Sequence, residues 1–78
     1  MIELYERVAL TRDIPTEGLR KGDVAYLLER IPHSHGGEPG CVLEVFNAIG
    51  ESLRVVAVPE SAVAALRADE VLAVRTYA

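Results

Sequence analysis

Cys41-Val42-Leu43-Glu44-Val45-Phe46 and Leu53-Arg54-Val55-Val56-Ala57-Val58 are two short runs dominated by β-branched and other apolar residues. Asn47-Ala48-Ile49-Gly50-Glu51 separates them, and Asn47 and Gly50 are the residues there best able to take positive φ. Two strand-like runs joined by a short turn predict an antiparallel hairpin. In the first run Cys41, Leu43 and Val45 share one face and Val42 and Phe46 the other. In the second, Leu53, Val55 and Ala57 oppose Val56 and Val58. Each run is apolar on both sides. Leu43 and Val55 are expected in the core and Val56 on the outer face.

Upstream, Val24-Ala25-Tyr26-Leu27-Leu28-Glu29-Arg30-Ile31 predicts another strand, more apolar than strict alternation gives. Pro32 to Gly40 holds three glycines, two prolines and no large apolar residue, which predicts an exposed loop too long for a tight turn. Arg7-Val8-Ala9-Leu10-Thr11 alternates as a half-buried strand does. Asp13 to Gly18 is a loop, and Leu19 is the only large apolar residue between Gly18 and Gly22, which predicts that it tucks under the loop. Downstream, Pro59-Glu60-Ser61-Ala62-Val63-Ala64-Ala65-Leu66 begins with a helix-starting proline and an acidic residue and continues alanine-rich, predicting about two helical turns. Val71-Leu72-Ala73-Val74-Arg75-Thr76-Tyr77 reads as the final strand, at a sheet edge.

Five short strands with one short helical turn before the last predict an all-β fold. The expectation is a small five-stranded SH3-like antiparallel barrel, with residues 1–78 as a single domain. An OB-like barrel is the neighbouring architecture, but its helix usually falls between the third and fourth strands.

The segments Arg7-Val8-Ala9-Leu10, Gly18-Leu19-Arg20-Lys21-Gly22-Asp23-Val24, Glu44-Val45-Phe46-Asn47-Ala48-Ile49-Gly50-Glu51-Ser52, Val58-Pro59-Glu60-Ser61-Ala62 and Ala68-Asp69-Glu70-Val71-Leu72-Ala73-Val74-Arg75 occur in that order. In them the chain resembles, over nearly its whole length, a family of small bacterial proteins, domain of unknown function 4926. Ala25 stands where that family's pattern usually has glycine. The resemblance implies an SH3-like fold and brings no activity and no assigned site.

The 78 residues are half apolar and about a quarter charged, with net charge −4. The two halves carry −2 each, so there is no basic arm or patch to neutralise phosphates. The beginning of the chain lacks the plan of a signal peptide, and no apolar run approaches the ~20 residues of a membrane span. The expectation is a soluble, cytoplasmic chain without membrane contact.

No catalytic set converges, and the chain is not expected to be an enzyme or to need a cofactor. Cys41 is the sole cysteine and reads better as a small buried apolar residue than as a nucleophile, since His35 is separated from it by Gly36, Gly37 and Gly40. Ser34, Ser52 and Ser61 lack an elbow motif. His33 and His35, with Glu38 nearby, are the one conceivable metal pair, and two ligands on a loop fall short of a structural zinc site, so no metal is expected. Asp13, Glu17 and Asp23 form either an acidic rim for a basic partner or ordinary turn formers. The four aromatics Tyr5, Tyr26, Phe46 and Tyr77 are scattered, fewer than a peptide-gripping SH3 groove uses.

Excess apolar surface is the more informative signal, because small monomers rarely leave a contiguous apolar patch uncovered. Phe46, Val56, Leu72 and Val74 are the expected interface. The leading expectation is an interaction module acting through protein contact, with a protein partner or itself as a homodimer, in the manner of an antitoxin-like companion of an adjacent gene product. A nucleic-acid-binding SH3-like module is the alternative, and a metal-binding protein using His33 and His35 the second.

Overall fold

The computed structural model describes residues 2–32 and 37–77. Its strands are β1 (Arg7–Leu10), β2 (Val24–Ile31), β3 (Gly40–Phe46), β4 (Ser52–Pro59) and β5 (Val63–Ala65). They form one five-stranded sheet in the order β4-β3-β2-β1-β5, every neighbouring pair antiparallel. The protein is all-β, with 3-10 turns at Pro15–Glu17 and Glu60–Ala62. Among the described residues the sheet does not close, so β4 and β5 are its edges.

The β3–β4 hairpin forms where the turn residues predict it. The Asn47 side-chain carbonyl accepts the N–H groups of Ile49 (3.1 Å) and Glu51 (2.8 Å), and Gly50 takes φ 87°. Two register shifts bend the sheet. Leu28 is unmatched between Leu27↔Leu43 and Glu29↔Val42, and Leu53 is unmatched between Val45↔Arg54 and Phe46↔Ser52. An extra residue increases local twist. That lets a small sheet wrap one core, made by Val8, Leu10, Ala25, Leu27, Cys41, Leu43, Val45, Val56 and Val58, with Leu19 and Ala62 from the connections. Leu19 is tucked under its loop as expected.

Three expectations are corrected. Val56 is core, only 4% exposed, while Val55 faces outward at 55%. Cross-strand partners share a face. Val56 lies opposite the buried Leu43, and Val55 opposite Glu44 on the outer face, so the facing of β4 is the reverse of the one expected. The helix expected over residues 59–66 contracts to Glu60–Ala62. A two-turn helix carries a nucleation cost that tertiary contact must offset. Here the backbone instead pairs with β1, at Leu10↔Val63, Ala9↔Ala64 and Val8↔Ala65. That pairing fills the place beside β1, and residues 71–77 consequently form no strand.

Candidate functional site

Across the outer face the register sets Arg7 beside Tyr26, Tyr26 beside Glu44, and Glu44 beside Val55. Phe46, two residues beyond Glu44, meets Tyr26 edge to face, with ring centroids 5.4 Å apart at 85°. Aromatic pairs prefer this arrangement because a positive ring edge meets a negative ring face. The bulge at Leu53 turns that side chain toward the same region.

Residues 71–77 run along this face and turn it into a groove of about 970 Å³. All four aromatics of the chain line it: Tyr5, Tyr26, Phe46 and Tyr77, the set that looked scattered in sequence. Leu72 and Val74 form part of its wall, at 57% and 93% exposure. Of the four expected interface residues, the structure brings Phe46, Leu72 and Val74 to this groove and leaves Val56 in the core. Tyr5 sits at the groove with φ 67°, a left-handed conformation uncommon for a bulky residue. Its N–H donates to the Leu27 carbonyl, which ties the turn to β2.

The wall is held by ionic side chains. Arg75 donates from Nε to Asp23 Oδ1 (2.8 Å), from Nη2 to Asp23 Oδ2, and from Nη2 to the Gly18 carbonyl (3.0 Å). The Arg20 N–H donates to the same carboxylate at 2.8 Å. Partial burial works to raise the Asp23 carboxyl, but the Arg75 and Arg20 hydrogen bonds and charges outweigh it and hold the group below its ordinary range. The Arg75 guanidinium also stands 5.8 Å from the Tyr77 ring centroid. Arg54 pairs with Glu17 at 2.9 Å and reaches the Tyr77 hydroxyl at 3.4 Å. Among the described residues no backbone–backbone hydrogen bond joins 71–77 to the sheet.

The three carboxylates of the first loop are therefore all engaged. Asp13 accepts the Lys21 N–H at 2.8 Å, Glu17 holds Arg54, and Asp23 holds Arg75. Cys41 is 2% exposed, and burial, with Glu60 adding to it, pushes its thiol up, away from the reactive thiolate. His33, Ser34 and His35 lie outside the described residues, while Glu38 accepts the Ser61 N–H at 3.0 Å. Among the described residues no three His, Cys, Asp or Glu side chains are placed to share a metal, and no helix is long and apolar enough to cross a membrane. Ser52 donates to Glu44 at 2.7 Å, with no histidine in that pair.

The sequence reading missed the Arg75–Asp23 clamp, because 52 residues separate its partners and nothing local marks either as paired. Comparison with known proteins returned no matching family model, no matching curated protein and no matching solved structure.

Proposed function

We propose that this chain is a small SH3-like interaction module, related to domain of unknown function 4926, that binds protein through the groove over β2 and β3. The observation that carries the reading is the convergence of Tyr5, Tyr26, Phe46 and Tyr77, from four separate segments, on one groove beside a paired Arg and Asp. Aromatic-lined grooves grip extended protein segments because flat rings offer large apolar area at low entropy cost. The order of elements supports the SH3-like assignment: a long first connection, a tight hairpin between β3 and β4, and a 3-10 turn before the short last strand.

In this reading the chain works without catalysis or cofactor, inside the cytoplasm, as the companion of another protein such as an adjacent gene product. Nucleic acid is the weaker fit. Base stacking is usually paired with several cations free to meet phosphates, and of the two arginines that line the groove Arg75 is committed to Asp23, which leaves Arg7 alone. The test is capture from the cells of origin with wild type and Tyr26→Ser side by side, both with equal melting temperatures. A protein retained by wild type and lost by the variant supports the reading. Equal retention, or salt-sensitive binding of a single-stranded oligonucleotide instead, contradicts it.

A further inference from the structure

Residues 71–77 have the sequence of a strand and no strand partner, and Val71, Leu72 and Val74 are 91%, 57% and 93% exposed. What holds them is a guanidinium socket. Asp23 offers both oxygens to Arg75, the Gly18 carbonyl takes a third contact, and the Arg20 N–H fixes the carboxylate in place. Asp13 adds negative potential on the same guanidinium. A fork-shaped cation is the group such a site recognises, since a carboxylate and a guanidinium meet by two parallel bonds.

The socket opens onto the aromatic groove, as Asp23 and Arg75 both line it. The chain's own Arg75 shows which group fits the socket, while Leu72 and Val74 border the groove and stay 57% and 93% exposed, so the segment presents two alternate apolar residues followed by the seated arginine.

We infer that the socket and groove together form a recognition site for an extended segment of another protein with this pattern, and that residues 71–77 fill part of the site in cis until such a segment displaces them. The inference rests on the proposed interaction function and names the class of partner. Displacement is cheap because no backbone bonds must break and little apolar area is covered in cis. A second copy of this chain is the poorer occupant. Its tail offers the same contacts as the tethered one, whose effective concentration is on the order of millimolar. A different protein gains by contacting the rings more fully.

The test uses full-length Arg75→Ala and, as probe, a synthetic peptide of residues 66–77, followed by fluorescence polarisation. The expected result is saturable binding roughly tenfold tighter than to wild type, whose own tail competes. Arg75→Lys, which cannot bond both oxygens at once, falls between them and guards against a folding artefact in the alanine variant. A peptide with alanine in place of Arg75, or a chain carrying Asp23→Asn with Arg75→Ala, does not bind. Equal affinity of wild type and Arg75→Ala overturns the inference, and so does an Arg75→Ala chain that melts normally and binds nothing. Light scattering that shows wild type as a dimer through exchanged tails would also overturn it, by making the second copy the occupant. Adding Tyr26→Ser to Arg75→Ala separates the two proposals. Unchanged binding there overturns the groove reading and with it the joint site, and leaves only capture of an arginine by the socket, whereas loss of binding in Asp23→Asn with Tyr26 intact assigns the failure to the socket.

Discussion

Residues 53–58 and residues 71–77 are nearly the same kind of sequence, short, valine-rich and broken by one arginine, yet one is a strand and the other is not. β4 follows a tight turn that delivers it beside β3, where its backbone pairs and Val56 and Val58 enter the core. Residues 71–77 arrive after Val63–Ala65 have taken the place beside β1. β-propensity describes how well a residue suits a half-buried pleated surface, and it is realised where a partner edge is within reach. Residues 71–77 pair with neither of the sheet's open edges, β4 and β5, and side chains alone fix them as the wall of a groove.

The largest effect that probes this contrast is Val56→Lys against Val55→Lys. A lysine at the buried position costs more than the about 3–5 kcal/mol that a core this small supplies, so Val56→Lys is expected to be unfolded by circular dichroism. Val55→Lys, one residue away on the outer face, should fold with stability within about 0.5 kcal/mol of wild type. If the two behave alike, the facing of β4 is wrong.

Leu43→Ala compared with Val74→Ala is the next step down. Leu43 is fully buried, so its truncation should cost about 2–4 kcal/mol in urea unfolding. Val74 is 93% exposed, and its truncation should shift the curve by less than about 0.5 kcal/mol. A comparable loss at Val74 would mean that the wall belongs to the core.

Acid sharpens the comparison from the side of the clamp. Arg75 and Arg20 hold the Asp23 carboxyl below its ordinary value of 3.8. A depressed carboxyl contributes its stabilisation fully above that ordinary value and loses it as pH falls through the lower folded value. The wall should therefore stay docked from neutral pH down to 3.8 and release only below it. Tyr77 ring resonances followed through the titration check this, and release well above 3.8 would mean that Asp23 is not the anchor.

The smallest effect concerns Tyr5, 71% exposed and at φ 67°. A left-handed backbone costs a bulky residue about 1–2 kcal/mol, while glycine loses about 0.5–1 kcal/mol more entropy on folding. Tyr5→Gly should thus be stabilised by up to about 1.5 kcal/mol, or unchanged, in thermal melting. A clear loss would show that the Tyr5 ring packs for stability.

The hairpin was legible in the sequence because Asn47 and Gly50 are turn formers for local reasons that hold in any context. The facing of β4 was not, because Val55-Val56 and Ala57-Val58 are apolar in both parities and only the pairing with Leu43 and Glu44 separates them. The bulges at Leu28 and Leu53 carry no glycine to announce them. Phe46, Leu72 and Val74 stood out as surplus apolar residues, and all three line the groove. The gathering of the aromatics and the Asp23 socket required the register and the path of residues 71–77, which no local pattern encodes.

The claim that one ionic clamp makes residues 71–77 a wall of the groove is tested most directly by backbone amide relaxation in wild type and Arg75→Ala. In wild type, order parameters for 71–77 should approach the about 0.85 of rigid backbone, although their amides lack sheet hydrogen bonds. In Arg75→Ala they should fall below about 0.6, with those of β2, β3 and β4 unchanged. Equal order in the two proteins, or a segment already mobile in wild type, would contradict the account.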